Sequence, residues 1–190
     1  QSLFRKFDHF EEQLWGHAVA TGIAATHVAA MSKKLDPAEA FVGGLLHDVG
    51  KIVLNNSSRA RYRQATQKAI DSNVAYHIAE TEEFNFHHGP VGAVLLEVWG
   101  LSQTLIDSAL YHHNIELWDE ISEESLPLLS IVILANQLVN SLQINVGSRE
   151  IPVDFPASCL ELLELDPISV ESLLEPIHEA YLADKGLYLS

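Results

Sequence analysis

Apolar residues recur every three or four positions along nearly the whole chain, and no run of alternating β-branched residues interrupts them. A helix turns once in about 3.6 residues, so this spacing stacks apolar side chains on one face, whereas a strand would need strict alternation. The chain therefore reads as all-α, a multi-helix bundle. With 47% hydrophobic residues in 190, it has enough apolar surface for one real core.

The spacing predicts a first helix over 10–34, with Leu14, His17, Ala18, Thr21 and Ala25 near one stripe. Asp36, Pro37 and Glu39 form a helix-start signal, an N-cap followed by proline in the first turn and glutamate three residues after the cap. The helix they start is expected to carry AFVGGLLHDVG (40–50). The stretch 58–73 holds Arg59, Arg61, Arg63 and Lys68 and reads as a solvated helix. Further helices are expected at 74–84, 89–99, 102–113, 126–143 and 167–184, separated by Gly100, by the acidic turn from Asp119 to Ser125, and by NVGSREIPVDFPA (145–157). That last segment, with Gly147, Pro152 and Pro156, has no helical period. It divides the chain into a helical core at 1–145 and a loop with a C-terminal helix at 146–190 packing on that core.

A formal net charge of −15 repels nucleic-acid phosphates and anionic membrane surfaces, which excludes nucleic acid and membrane as general partners. A small phosphorylated ligand stays open, because a bound cation reverses the local sign inside an acidic protein. Cys159 is the only cysteine, which excludes an internal disulfide and fits a cytoplasmic location. The longest apolar stretches, 18–31 and 126–139, fall short of the roughly 20 residues of a membrane span and read as buried helices. The chain opens at Gln1 and its only methionine is Met31, which reads as a fragment of a longer protein.

Among ten histidines, His17, His47 with Asp48, His88, and the pair His112 and His113 form an ordered set, each on or at the end of a different predicted helix. A bundle can aim such residues into one cavity. Adjacent residues on a helix point about 100° apart, so His47 and Asp48 share an ion only if other segments supply the remaining ligands. Imidazole and carboxylate without cysteine suit divalent zinc, iron, manganese or nickel, one ion or two. The chemistry of such a centre is hydrolysis by a metal-bound water at phosphorus, with Lys51, one turn beyond His47, as a point charge for the phosphate. His9, His27, His77 and His178 read as ordinary hydrogen-bonded histidines.

The adjacent pair in HDVGK (47–51) resembles the signature of the HD superfamily of metal-dependent phosphohydrolases. Within it, LWGHAVATGIAAT (14–26), AFVGGLLHDVGKIVL (40–54), HHGPVGAVLLEVWGL (87–101) and LIDSALYHH (105–113) resemble the HDOD group, bacterial domains regarded as signalling or regulatory outputs. The resemblance implies an HD-like bundle and the metal ligands His17, His47, Asp48, His88, His112 and His113, with Lys51 as the phosphate-side lysine and Asp48 as the residue shared by metal and catalysis. HDOD proteins usually carry a further helical lobe ahead of the segment that begins near Phe10, and that lobe is expected to be absent here.

Two departures matter. The superfamily's closing aspartate falls on Asn136 in ILANQLV (133–139), and a neutral amide oxygen is expected to weaken metal affinity. The related HD-GYP enzymes, which hydrolyse cyclic di-GMP, carry a Gly-Tyr-Pro signature after the paired histidines, where this chain reads NIELWDE (114–120). Gln13 also stands where some of them place a metal-binding glutamate. The expectation is therefore a regulatory domain working through signalling partners or its own missing lobe, with a phosphohydrolase of nucleotides or small phosphate esters as the alternative. A homodimer through Trp99, Trp118 and 126–139 is a weaker third reading.

Overall fold

The computed structural model describes residues 9–144, 147 and 153–188. Among these residues there is no strand, and the helices run α1 (His9–Ser32), α2 (Pro37–Leu46), α3 (Val49–Ser57), α4 (Arg59–Asp71), α5 (Tyr76–Phe84), α6 (His88–Val98), α7 (Gln103–Tyr111), a short 3-10 turn (Ile115–Glu120), α8 (Leu126–Ser141), α9 (Ala157–Leu163), α10 (Pro167–Glu171) and α11 (Leu174–Tyr188). The all-α expectation holds.

The centre of the bundle is α1 and α8. Small residues of α1, among them Ala20, Ala24, Ala25 and Ala29, are fully buried, so neighbouring backbones can approach closely, and α2, α8 and α11 all pack on it. On α8, Leu129, Ile131, Leu134, Leu138 and Val139 are fully buried in the same core. The apolar residues of 126–139 are thus packed inside the core; of the two tryptophans, Trp99 is exposed and the side chain of Trp118 lies outside the described residues. Leu160, Leu163, Val170, Ile177 and Tyr181 of the C-terminal helices join that core. Around this centre α3 packs on α6, α6 on α7, and α4 on α5.

Asp36 caps α2 by accepting from the Ala38 N–H at 2.7 Å, with Pro37 at the first helical position. The helix it starts does not run through 40–50 as the periodicity predicts. It stops at Leu46, His47 and Asp48 form a turn, and α3 begins at Val49. Two glycines flank the break. A Cβ at Gly44 would meet Thr21 O at 2.5 Å, and one at Gly50 would meet His88 O at 2.0 Å. The chain on either side of the turn is thus pressed backbone to backbone against α1 and against α6, contacts only glycine permits.

The other differences are at the C-terminal end. The single helix expected at 167–184 is two, α10 and α11, and α9 has no counterpart among the expected helices. Asp166 caps α10 through the Ser169 N–H at 2.9 Å ahead of Pro167, the same Asp-Pro signal that starts α2. The expected loop at 145–157 lies mostly outside the described residues. Among the described residues no helix is long and apolar enough to cross a membrane.

Candidate metal centre

The turn at 47–48 solves the divergence of neighbouring side chains. Because the helix breaks there, His47 and Asp48 both face inward, where His17 arrives from α1, His88 from the first residue of α6, and His112 and His113 from just beyond the end of α7. The two oxygens of Asp48 divide them. Oδ2 lies 3.4 Å from His47 Nε2 and 3.6 Å from His17 Nε2. Oδ1 lies 3.0 Å from His88 Nε2 and 3.5 Å from His112 Nε2. His113 Nε2 completes the second group, 2.9 Å from His88 Nε2.

Hydrogen bonds on the far side of each ring fix which nitrogen faces the centre. Nδ1 of His17 bonds Ile144 O at 2.7 Å, Nδ1 of His47 bonds Gly44 O at 2.7 Å, and Nδ1 of His112 bonds Ala109 O at 2.9 Å. Carbonyl oxygens only accept, so each Nδ1 carries the proton and each neutral ring turns a bare Nε2 lone pair inward. Burial lowers the pKa of His17, His47, His112 and His113, the attraction of Asp48 notwithstanding, which keeps these rings neutral. Several lone pairs and a carboxylate thus converge, and His47 Nε2 and Asp48 Oδ1 are buried without a hydrogen-bond partner. Such orphaned acceptors are costly unless a cation satisfies them. Bonds of about 2.0–2.1 Å place neighbouring ligand atoms roughly 3.0–3.4 Å apart around one ion, the spacing seen about Asp48. The residues present fit one divalent ion or two sharing Asp48.

His88 differs from the rest. Burial would lower its pKa, but Glu80 raises it above the usual value. Glu80 is buried on α5 and accepts from the His88 backbone N–H at 2.9 Å and from His88 Nδ1, while its other oxygen accepts from Tyr62 Oη at 2.9 Å. This is the carboxylate–histidine arrangement that orients metal-binding imidazoles. Sequence reasoning missed Glu80. Its signal was an acidic residue four before Phe84 on the apolar side of α5, beside Ala79. Tyr62 likewise sits on the helix read as solvated, yet is 2% exposed.

Burial would raise the Asp48 carboxyl, but His47, Lys51 and His88 hold it well below the usual carboxylate range. Lys51 is buried, with Nζ 2.6 Å from Asp48 Oδ2 and lying over the Tyr76 ring. It is therefore committed to the carboxylate rather than pointing into open space. Asn136 is at the His17 side: its amide is within bonding reach of His17, and its Oδ1 accepts from Asn140 Nδ2 at 2.9 Å. Gln13 is half-buried on α1. His77, read as an ordinary histidine, stacks on His113 with ring centroids 4.2 Å apart, whereas His27 bonds only its own helix at Ile23 O. An apolar cavity of about 180 Å³, walled by Leu14, Trp15, Leu45, Val49 and Ile52, reaches Asp48 from the side of α1 and α2.

Solved structures share this fold. An HDOD domain protein with unknown function from Geobacter sulfurreducens is 24% identical with a TM-score of 0.67, covering 97% of this chain and 62% of its own. A candidate phosphohydrolase from Shewanella amazonensis SB2B is 20% identical with a TM-score of 0.72, covering 98% and 67%. A candidate signal transduction protein from Marinobacter aquaeolei VT8 is 16% identical with a TM-score of 0.77, covering 96% and 39%. An uncharacterized protein of Treponema pallidum (strain Nichols) is 29% identical over 146 residues, 76% of this chain, and the chain spans only 28% of that relative's length. The HDOD domain family matches residues 2–115, and with that match over more than half its length the chain belongs to the HDOD family.

Proposed function

We propose that this chain is a regulatory HDOD domain of a bacterial signalling protein that holds a divalent metal at Asp48 and acts through contacts with partner proteins or with a further helical lobe, in the cytoplasm. The observation that carries the metal is the convergence of the bare Nε2 lone pairs of His17, His47 and His112 on both oxygens of one buried carboxylate. His17, His47 and Asp48 would hold one ion, and Asp48, His88, His112 and His113 a second. Bound there, zinc, iron, manganese or nickel supplies Lewis-acid chemistry to an oxygen ligand. The chain's own part is to exclude water, to orient the imidazoles through Ile144, Gly44, Ala109 and Glu80, and to balance charge with Lys51.

Asn136 favours regulation over turnover, because an amide beside His17 leaves Asp48 as the only carboxylate among the residues of the two ligand groups. The exposed apolar run of Val94, Val98 and Trp99 along and beyond α6 supports a partner surface. A second reading, phosphohydrolase, is favoured by the retained His/Asp set with Lys51. Metal-loaded protein assayed against nucleotides, simple phosphate mono- and diesters and cyclic di-GMP separates the two. The regulatory reading expects no turnover above free metal; hydrolysis that disappears in Asp48→Ala would replace it with the enzymatic one.

A further inference from the structure

Asp48 also lies at the edge of the apolar cavity between α1, α2 and α3, and is the one charged residue among its walls. Leu14 and Ala18, one turn apart on α1, face Val49 and Ile52 of α3 across it, and Trp15 contributes a ring. Burial gives the cavity a direction. Leu14, Ala18, Asp48 and Val49 are buried, whereas Ile52 is 44% exposed, so the mouth lies at Ile52 and the carboxylate at the deep end.

Size and lining select what such a cavity takes. Its volume is about 180 Å³, and a cavity of roughly 150 Å³ with aliphatic and aromatic walls holds benzene. Pockets for drug-sized ligands run to roughly 300–1,000 Å³, so the body of the ligand is a single ring or a short branched chain. Water is a poor occupant, because an ordered water needs roughly two to four polar partners. The deep end asks for a donor. A carboxylate only accepts hydrogen bonds, and Asp48 Oδ1 is buried without a partner, while its Oδ2 is held by Lys51 at 2.6 Å. A charged ammonium would supply a donor at the cost of stripping its water among apolar walls. A neutral hydroxyl supplies one without that cost.

We propose that this cavity is a binding site for a small uncharged alcohol, with phenol as its simplest aromatic form, the apolar body lying between α1 and α3 and the hydroxyl at Asp48. The site stands on the cavity and on Asp48 and requires no ion. Its use as an input to signalling rests on the regulatory reading above: a ligand here touches three helices and the residue common to both ligand groups, so the cavity gives the domain a small-molecule input beside its centre.

The experiment titrates phenol and benzene into the protein as purified, by calorimetry, with bound metal per chain and thermal midpoint measured in parallel. The two probes share a ring and differ by the hydroxyl, so their comparison needs no change to the protein. The proposal expects saturable binding of both, with phenol tighter by about tenfold, the value of a hydrogen bond to a charged group. Two substitutions place the site. Ile52→Trp puts a large ring at the exposed mouth, where the fold has room for it, and Ala18→Leu fills the cavity from a buried wall. Both are expected to weaken phenol binding at an unchanged metal content. No saturable binding of phenol, equal affinity for phenol and benzene, or unchanged phenol affinity in both variants overturns the proposal. Protein that takes metal but no phenol overturns it and leaves the metal reading standing, whereas protein that takes phenol but no metal does the reverse.

Discussion

Glu80→Ala removes one carboxylate and strands three groups at once: the His88 N–H, His88 Nδ1 and Tyr62 Oη, all inside the buried wall behind the centre. Leaving a buried charged partner uncompensated costs roughly 3–5 kcal/mol. In a chain of 190 residues, at about 2–4 °C per kcal/mol, that is a fall of roughly 10 °C in thermal midpoint. The effect on metal is separable. Glu80 fixes the orientation of His88 and raises its basicity, and loss of such an outer partner lowers metal affinity by about 10–100-fold. Glu80→Gln discriminates between hydrogen bonding and charge: its amide oxygen can still accept from both His88 groups, so the midpoint should change little while metal affinity drops about tenfold. Thermal denaturation of metal-free protein and competition titration against a metallochromic chelator read the two quantities. Metal affinity unchanged in Glu80→Ala would refute the claim that Glu80 positions a ligand.

Further outcomes follow from the same geometry. Gly50→Ala places a methyl 2.0 Å from His88 O, backbone against backbone, and should destabilise by about 3 kcal/mol or more, with the metal centre distorted in whatever folds; a thermal midpoint within a degree of wild type would contradict the close approach of α3 and α6. Asn136→Asp adds a carboxylate beside His17 while keeping an acceptor for Asn140 Nδ2, and should tighten metal binding in the chelator titration; an unaffected affinity would remove Asn136 from the centre. Metal-free protein should lose stability as pH falls from 6.5 towards 4. His77 and His87 take up their protons near 4 when folded, against the usual 6.5, so the unfolded chain binds more protons in that window. A thermal midpoint that is flat or rises on acidification through it would contradict the burial of these rings.

Most of the helices were legible because burial imposes a 3.6-residue period, and the stripe through Leu14, His17, Ala18 and Thr21 is buried as that period requires. What the period could not reveal was the interruption at His47–Asp48. The apolar period runs on through the turn, and what the period does not record is that Gly44 lies against the Thr21 backbone and Gly50 against that of His88. The helix expected over 102–113 ends instead at Tyr111, and that earlier end lets two neighbouring histidines reach one place. Glu80 was hidden because a carboxylate usually marks a solvated face, and only its partners on α4 and α6 make burial affordable. The stack of His77 on His113 was hidden for a related reason: the two are 36 positions apart in sequence, and no local pattern records a stack of that kind.

The most direct test of the central claim is elemental metal analysis of protein purified without a histidine tag or added metal, beside Asp48→Ala. Asp48 is the one residue common to both ligand groups, so the account predicts about one to two equivalents of divalent metal per chain in the wild type and loss of all of it in the variant, with the helical content retained. Metal-free wild-type protein that stays metal-free after incubation with excess zinc, manganese, iron and nickel, or a variant that keeps its metal, would contradict it.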